Sequence, residues 1–356
     1  MEKYRTARWR LTMYSERHII TILNRIRRRR DILNCKGYFK LSTLQKYASG
    51  NYYKFFSIPK KNGGKRIISA PERELAFIQL CIAVLFNSIY KPNKCVFGFV
   101  DKRSIVQNAQ QHINKEILFN IDLKDYFSSI SYNDIIEKLI RQPYYFSYPA
   151  AKFLTDILVV ETQDGKRVLP QGAPSSPIVT NMIADHLDVR LSKFAEKHDL
   201  TYTRYADDIT FSFSRSKLRG WRSHGLTKGI RDIIFDIIET EGFLINKRKT
   251  RISFINQRHE VTGLVVNKKV NVKREYIKRL RTEIHNWERD GYVIASYKFL
   301  KHYEKTHLGK LKSMENVIEG KLSFIKMVKG ENDTTFMKLY NRFMLLMQRD
   351  KVFINS

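Results

Sequence analysis

The stretch LTYTRYADDITFSF, residues 200–213, places Asp207 and Asp208 side by side between two runs of strand-forming residues. After the two acids, apolar residues alternate with Thr and Ser, which predicts a half-buried strand. A hairpin turn needs only one Asp beside a Gly or Asn, and two adjacent carboxylates repel each other. The pair therefore predicts a bound positive charge at the tip of this hairpin.

The composition is that of a large, strongly basic globular protein. The chain has 356 residues, of which 43% are hydrophobic and 28% are charged. This is enough for a sizeable core and for two or three subdomains. The 65 Lys and Arg residues outnumber the 35 Asp and Glu residues, which gives a net charge of +30. Such an excess indicates a polyanionic partner, and nucleic acid fits best.

No segment of the sequence predicts a membrane span, a secretory signal or a zinc site. The longest apolar stretch, residues 75–90, contains Gln79 and Asn87 and is too short to cross a bilayer. The first ten residues are basic, and no cleavage pattern follows them. The three cysteines are scattered along the chain, as is common in a reducing compartment. We therefore expect a cytoplasmic protein that does not bind a membrane.

The order of elements predicts an α+β core with helical flanks. Helices are expected over residues 1–50, 71–90, 131–160, 177–197, 227–241 and from 273 onward. Strands are expected as hairpins over 53–70 and 200–213, and singly over 117–123, 251–255 and 261–266, with a loop over 162–176 and a turn at 267–269. Both ends are basic, with 12 Lys and Arg against 3 Asp and Glu over residues 1–40 and 18 against 10 over 273–356.

A third aspartate, Asp122, stands near the end of the strand predicted over 117–123. If this strand lies beside the Asp207–Asp208 hairpin, three carboxylates meet at one edge of a sheet. Mg²⁺ prefers hard oxygen ligands and shares its coordination shell with substrate phosphates. Two such ions roughly 3.5–4 Å apart would serve an in-line phosphoryl displacement. A metal would thus supply the positive charge that the paired aspartates require.

Three stretches together resemble the palm motifs of reverse transcriptases. They are NIDLKDYFSSI, LPQGAPSSP and YADD, and they follow one another in the order of that family. The resemblance implies a right-hand polymerase of the α+β class, with an antiparallel palm sheet. It further implies a basic helical N-terminal extension over 1–50, fingers over 51–115, a palm over 116–270 with a finger insertion at about 131–168, and a helical RNA-binding thumb over 271–356.

The resemblance also implies the roles of the acidic residues and of the nucleotide pocket. Asp122, Asp207 and Asp208 would be the catalytic ligands of two Mg²⁺ ions, with the Leu123 carbonyl as a further ligand. The nucleotide-binding residues would be Lys61, Lys65, Arg66, Asp125, Tyr126, Phe127, Gln171, Gly172 and Lys249.

Within that set, each side chain has an expected task. Phe127 would act as the aromatic gate that excludes a ribose 2′-hydroxyl, so that the product is DNA. Arg66 would clamp the triphosphate, because its planar fork is always charged. Gln171 would contact the incoming nucleotide, while Gly172 lets the backbone come close. Lys249 would protonate the departing pyrophosphate.

Two further motifs, NAQQH at 108–112 and VTGL at 261–264, resemble those of bacterial retron reverse transcriptases. This resemblance implies an enzyme that binds its own structured non-coding RNA and primes from a guanosine 2′-hydroxyl. The product would be branched multicopy single-stranded DNA, made from dNTPs. The enzyme would act in antiphage defence together with a separate effector protein, and a cellular ribonuclease H would remove the copied template. RNA-binding residues would include Arg27, Arg28, Arg29, Arg30, Asn108, His112, Val261, Thr262, Gly263, Lys273, Arg274, Lys278 and Arg281.

Two alternatives remain open at this point. The chain could be another bacterial reverse transcriptase, namely a diversity-generating, abortive-infection or intron-derived enzyme. It could instead be a non-catalytic RNA-binding protein on a palm-like scaffold, although the intact acids argue against this. An RNA-dependent RNA polymerase is disfavoured by the bulky ring of Phe127.

Overall fold

The computed structural model describes residues 14–29, 38–60, 63–214, 223–306 and 313–354, without the side chains of 223–228 and 304–306. Two of the predicted site residues, Lys61 and Arg30, lie outside the described residues. No helix in the described part of the chain combines the length and the apolar composition that crossing a membrane requires.

The helices account for most of the described chain. They are α1 (Glu16–Arg29), α2 (Leu41–Ser49), α3 (Arg73–Ile89), α4 (Ile105–Gln110), α5 (Tyr132–Ile140), α6 (Tyr148–Leu158), α7 (Ser176–Ile183), α8 (Asp185–Lys197), α9 (Ser223–Thr240), α10 (Arg274–Thr306), α11 (Met314–Lys329), α12 (Thr334–Arg349) and α13 (Lys351–Ile354).

The strands form one four-stranded sheet and three hairpins. They are β1 (Tyr53–Pro59), β2 (Lys65–Pro71), β3 (Ile117–Asp122), β4 (Val160–Glu161), β5 (Arg167–Val168), β6 (Thr201–Tyr205), β7 (Asp208–Phe213), β8 (Arg251–Phe254), β9 (Glu260–Val261) and β10 (Leu264–Val265). The sheet has the order β6-β7-β3-β8, while β1–β2, β4–β5 and β9–β10 pair antiparallel.

The chain divides into two compact units. The first contains the described residues within Met1–Arg103, Asn120–Phe211 and Ser216–Arg251. Its main core joins apolar residues of α1, α2, α3, α5, α6 and α7, such as Leu23, Phe86 and Leu154, which are fully buried. Several helices here begin at a serine whose hydroxyl accepts from a first-turn amide, for example Ser131 before α5 and Ser147 before α6.

The second unit contains the described residues within Ser104–Phe119, Ser212–Arg215 and Ile252–Ser356. Its core surrounds Trp287 of α10, which is fully buried and donates its indole N–H to Asp350 (2.8 Å). Residues of α11, α12 and the short hairpin β9–β10 complete this core. The long helix α10 bends at Gly291, whose φ of 75° is outside the helical region.

Most predicted elements are present, and four differ. The strand predicted to be half-buried, β7, is buried on both faces, since Thr210 and Ser212 are at most 2% exposed. The helix expected over 177–197 is two helices, α7 and α8, that meet at Ala184. The strand expected over 261–266 is the hairpin β9–β10, because Thr262 and Gly263 both have positive φ (47° and 81°) and turn the chain. The loop expected over 162–176 begins inside the hairpin β4–β5. The predicted four-part division into extension, fingers, palm and thumb stays a prediction.

Candidate active site

The acidic residues lie where the sheet brings two strand ends together. Strand β3 lies between β7 and β8 in the sheet, so that Asp122 at its end is next to the turn between β6 and β7. The backbone N–H of Leu123 donates to the Asp207 carbonyl (3.0 Å), which fixes this neighbourhood. The N–H of Asn246 donates to the Asp122 carbonyl (2.8 Å) from the other side.

The Asp122 carboxylate is held by two side chains from the segment after α9. Lys249 Nζ donates to its Oδ1 (2.9 Å), and Asn246 Nδ2 donates to its Oδ2 (3.0 Å). Both donors come from the sequence LINKRKT, where the turn bond from the Lys249 N–H to the Asn246 carbonyl (3.1 Å) places them together. One carboxylate therefore has an ammonium and an amide as its present partners.

The three carboxylates influence each other electrostatically. Partial burial, together with the charge of Asp122, raises the pKa of Asp207, while Lys249 and Arg66 oppose this rise. Asp208 keeps contact with solvent. Nevertheless, the protein atoms around its carboxylate, and then Asp207 and Asp122, raise its pKa to about 6. Charge repulsion within such a cluster is what a bound cation would relieve.

The donor set fits a hard divalent cation, because it consists of carboxylate oxygens. The Leu123 carbonyl as a further ligand stays a prediction. Within the described residues, no group of three or more His, Cys, Asp and Glu side chains is already gathered closely enough to hold a metal ion. The ion pair of Asp122 with Lys249 accounts for part of this, since its ammonium occupies an oxygen that a metal would need.

The basic residues of the hairpin β1–β2 are exposed. Lys65 and Arg66 begin β2, and Arg66 is opposite Ile58 in the antiparallel register. The positive charge of Arg66 opposes the rise in the pKa of Asp207. Gly63 and Gly64, with φ near 80°, form the tip next to these residues.

The loop that contains Gln171 and Gly172 packs against the same hairpin. The Ser69 N–H of β2 donates to the Gln171 carbonyl (2.9 Å). A Cβ on Gly172, where φ is 130°, would lie 2.9 Å from Ile68 Cγ2 and 3.0 Å from the Ser69 carbonyl oxygen. In this structure Gly172 permits a close approach to β2. Its role at the nucleotide stays a prediction.

The predicted gate lies next to a strained backbone position. Asp125 is exposed and has φ of 50°, in the left-handed region that non-glycine residues seldom adopt. Tyr126 is buried, and Phe127 is half-buried with its ring 5.7 Å from that of Tyr126 and 6.3 Å from that of Phe99. Burial of Tyr126 agrees with a contribution to the pocket through backbone atoms. The roles of these residues stay predictions.

The sequence analysis missed Asn246, which donates to Asp122, and Arg204, which donates to the carbonyl of Ala206 before Asp207. Asn246 precedes Lys249 by three positions, and no signal in the sequence marks it as a partner of Asp122. Arg204, two positions before Ala206 in YTRYADD, is fully buried. A charged residue inside a predicted strand was the available signal, because a buried arginine requires an acidic partner.

The arginines of α1 make contacts within the protein. The Arg27 guanidinium lies 4.6 Å from the centre of the Phe39 ring, and that of Arg28 lies 4.8 Å from the centre of the Tyr38 ring. Arg28 Nη2 also donates to the Tyr38 hydroxyl (2.6 Å). Arg28 and Arg29 are exposed, so that their charges still face solvent. RNA binding by this helix stays a prediction.

The two retron-like motifs pack together in the second unit. Thr262 Oγ1 donates to the Ile105 carbonyl (3.3 Å), and α4 contacts both β9 and β10. Asn108, His112 and Val261 are at most 1% exposed, and His112 Nδ1 forms a hydrogen bond with Ser212 Oγ (2.7 Å). These three side chains therefore contact protein groups. RNA contact by them stays a prediction without support from their position.

The start of α10 offers a different surface. Its exposed basic residues are Arg274, Lys278, Arg279 and Arg281. Lys273 precedes the helix and forms an ion pair with Glu260, which also pairs with Arg258. Of the predicted RNA-binding residues in this region, the helical ones have the exposure that a phosphate contact requires.

Comparisons with known sequences all find reverse transcriptases. The family model described as reverse transcriptase (RNA-dependent DNA polymerase) matches residues 58–279. The chain is 37% identical over 245 residues to the Retron Ec86 reverse transcriptase of Escherichia coli, covering 67% of this chain and 71% of that protein. It is 32% identical over 294 residues to the Retron Mx65 reverse transcriptase of Myxococcus xanthus, covering 79% of this chain and 62% of that protein.

A third relative is the Retron Mx162 reverse transcriptase of Myxococcus xanthus. The chain is 33% identical to it over 260 residues, covering 67% of this chain and 53% of that protein. The chain thus spans less than two thirds of the length of two of these relatives. Among solved structures, a telomerase from Candida albicans bound to a fragment of telomeric RNA has a TM-score of 0.46 at 13% identity, covering 86% of this chain and 65% of that chain.

Proposed function

The chain belongs to the retron reverse transcriptases, a family of right-hand polymerases of the α+β class, and we propose that it is an RNA-directed DNA polymerase that makes branched single-stranded DNA. One observation carries the catalytic part of the proposal. The sheet brings Asp122 next to the Asp207–Asp208 pair, and burial, followed by the charges of Asp207 and Asp122, raises the pKa of Asp208 to about 6. A metal-dependent nucleotidyl transfer is the chemistry that needs such a cluster.

The divalent cations of the proposal are Mg²⁺. When bound, they would activate the primer hydroxyl and stabilise the charge on the phosphates. Asp122 would then exchange its contact with Lys249 for the metal. The released ammonium would be available to give a proton to pyrophosphate. Arg66, on the hairpin β1–β2, would neutralise the charge of the triphosphate. Phe127 would pack against C2′ of the sugar.

The RNA part of the proposal rests on charge and on the family. The net charge of +30 suits a polyanionic template, and exposed arginines lie on α1 and at the start of α10. The partner would be the cognate structured non-coding RNA, recognised through shape and phosphates, since A-form grooves conceal base edges. Synthesis would start at a guanosine 2′-hydroxyl, which makes the product a 2′,5′-branched RNA–DNA.

The expected cytoplasmic location comes from the sequence, and three further parts of the proposal come from the family alone. The enzyme would act in antiphage defence. It would work with a separate effector protein. A cellular ribonuclease H would remove the copied template.

The test is expression of the chain with its flanking genomic DNA, followed by extraction of low-molecular-weight nucleic acid. The matched control carries Asp207→Asn and Asp208→Asn, which keep the size of both side chains. We expect a discrete single-stranded DNA that debranching enzyme shortens and that the control strain lacks. A parallel assay gives the purified protein a primed RNA template, dNTPs and Mg²⁺.

The two assays together separate the alternatives. Primer extension without branched DNA would retain the polymerase and reject the retron product, in favour of another type of bacterial reverse transcriptase. Absence of both activities in a folded, RNA-binding protein would support the non-catalytic alternative. Activity that persists in the double Asn control would reject the assignment of the acids.

A further inference from the structure

A buried ion pair lies directly behind the turn that carries Asp207. Arg204 of β6 and Asp188 of α8 are both 0% exposed. Their contact is bidentate, with Arg204 Nε donating to Oδ1 (2.8 Å) and Nη2 donating to Oδ2 (2.6 Å). The Tyr202 hydroxyl also donates to Asp188 Oδ1 (2.7 Å). Both oxygens of the carboxylate therefore accept hydrogen bonds from the arginine, and this bidentate contact fixes the planar guanidinium in one orientation.

The remaining nitrogen of this guanidinium contacts two segments of the candidate site. Arg204 Nη1 donates to the carbonyl of Ala206 (3.2 Å), the residue before Asp207, and to the hydroxyl of Tyr126 (2.9 Å), the residue before Phe127. It also approaches Asn181 Oδ1 (3.2 Å). One buried group thus connects the turn that carries a candidate metal ligand with the segment that carries the predicted sugar gate.

Both segments have a backbone that needs support. Ala206 has φ of 57° and Asp125 has φ of 50°, which cost free energy for residues with a Cβ and persist only where the surroundings hold them. Gly98 also packs against this turn, since a Cβ there would clash with the Ala206 nitrogen. The Asn181 amide donates to the Gly98 carbonyl (3.0 Å), so the same group of residues also fixes this contact.

We propose that Arg204 is a positioning residue for nucleotidyl transfer, which holds the Ala206–Asp207 turn and the Tyr126–Phe127 segment in one fixed relation. The inference rests on the proposed polymerase function. Arg204 itself is buried away from substrate and acts through these two segments. Asp188 is the anchor that gives the guanidinium its orientation. A lysine could keep the charge, but its single ammonium cannot reproduce the fork that binds Asp188 while reaching both segments.

The alternative is that the pair serves only folding. Replacing a buried ion pair by well-packed apolar residues is often neutral or stabilising, whereas removal of one partner is destabilising. This gives a way to separate the two roles. If the pair only supports folding, an apolar replacement of the whole group restores polymerisation. If it positions the two segments, the apolar replacement folds and still polymerises poorly.

The experiment uses the full chain with primed poly(rA), Mg²⁺, and dTTP or UTP as the nucleotide. Three variants are made. Arg204→Lys is the first, and the second, called the combined variant, carries Arg204→Met, Asp188→Leu and Tyr202→Phe together. The third is Tyr126→Phe, which leaves the ion pair in place. Leu154→Ala, in the core of the first unit and away from these residues, is the control for lost stability. Unfolding midpoints are measured for every variant, so that activity is compared only below them.

For the combined variant we expect kcat with dTTP to fall by about 10–100-fold, because misplacement of reacting groups by about 1 Å has effects of this size. The KM for dTTP should change little. The preference for dTTP over UTP should fall, because Phe127 would no longer be held in a fixed position. Tyr126→Phe should show the same pattern at about threefold, since it removes one of several contacts. Leu154→Ala should retain the kcat and the preference of the wild type.

Wild-type kinetics in the combined variant would overturn the inference and leave a folding role for the pair. Should that variant and Arg204→Lys both fail to fold, Tyr126→Phe decides, and an unchanged kcat and dTTP preference there would overturn it equally. Failure of the proposed function has a different signature. In that case the wild-type chain itself incorporates no dTTP, whatever residue stands at position 204.

Discussion

The acidic cluster should destabilise the protein in the absence of metal, and Asp208→Asn should relieve this. The substitution keeps the shape of the side chain and removes one of three mutually repelling charges. Because the pKa of Asp208 is raised from 3.8 to about 6, the folded state binds this proton more tightly than the unfolded state. The associated stability is fully present below pH 4 and is lost as the pH rises through about 6.

The size of the effect follows from the same two values. Without screening, the difference between 3.8 and about 6 corresponds to about 3 kcal/mol at pH 7, at 1.36 kcal/mol for each pH unit. Asp208 keeps contact with solvent, which weakens both the cost of burying its charge and the repulsion from its neighbours, so we expect about 1 kcal/mol. In a chain of this length, that should raise the melting temperature by about 1–3 °C.

The assay is thermal unfolding of wild type and Asp208→Asn in EDTA, at pH 4.5 and at pH 7.5. The variant should be more stable at pH 7.5, and the difference should be clearly smaller at pH 4.5, where Asp208 is protonated in the folded protein but largely ionised in the unfolded chain. Adding Mg²⁺ should stabilise the wild type more than the variant, because the variant lacks one ligand. Equal melting temperatures at pH 7.5, or a lower one for the variant, would refute the repulsion on which the metal assignment rests.

Three other substitutions test separate parts of the site, and a fourth tests the packing of the second unit. Phe127→Ala should admit ribonucleotides, and an unchanged preference for dTTP over UTP in primer extension would reject the gate. Lys249→Met should lower, by about threefold, the Mg²⁺ concentration for half-maximal thermal stabilisation, because an exposed ammonium competing for a carboxylate contributes up to about 1 kcal/mol; its kcat should fall, and a higher Mg²⁺ requirement would contradict this. Gly98→Ala should lower kcat at least about tenfold, since its Cβ would displace Ala206 and with it the reacting groups; normal turnover would show that the turn can move. His112→Ala should lower the free energy of unfolding in urea by about 2 kcal/mol through a lost buried hydrogen bond and a cavity; no loss would mean that this contact is dispensable.

Local patterns were sufficient to predict most of the fold. The two hairpins at 53–70 and 200–213 follow from strand-forming runs around turn residues, and α3 follows from a long apolar segment behind Pro71. The strand expected over 261–266 was wrong for a physical reason. A two-residue turn at Thr262–Gly263 leaves the apolar sequence on both sides unchanged, so that a hairpin and one continuous strand share the same hydrophobic pattern.

The break between α7 and α8 had no signal either. Neither Gly nor Pro stands near Ala184, whose ψ of 0° ends one helix and starts the next. Intrinsic propensity favours a continuous helix there, and tertiary packing decides otherwise. A periodic apolar pattern predicts which face of a helix is buried, but it does not reveal a change of direction between two such helices.

In the candidate site, the sequence predicted the acids but not their partners. Asp122 and Asp207 were expected to meet because strand ends carry them, and the backbone bond from Leu123 to Asp207 agrees. The contact of Lys249 with Asp122 spans 127 positions of the chain, and no local pattern encodes it. The same holds for Arg204, whose partners come from separate segments of the first unit. Side-chain partners of this kind are set by the tertiary arrangement and become visible only in three dimensions.

The motifs that indicated a retron enzyme show how diagnostic value and surface position differ. Asn108 and His112 are buried, and the turn after Val261 packs against α4, so these residues shape the second unit from within. Phosphates can be reached only by side chains that remain exposed, such as Lys278 and Arg281 on α10. A binding study should therefore separate the two sets. Charge removal on α10 should lower RNA affinity and its salt dependence in a protein of unchanged stability, whereas substitution of His112 should act first on stability.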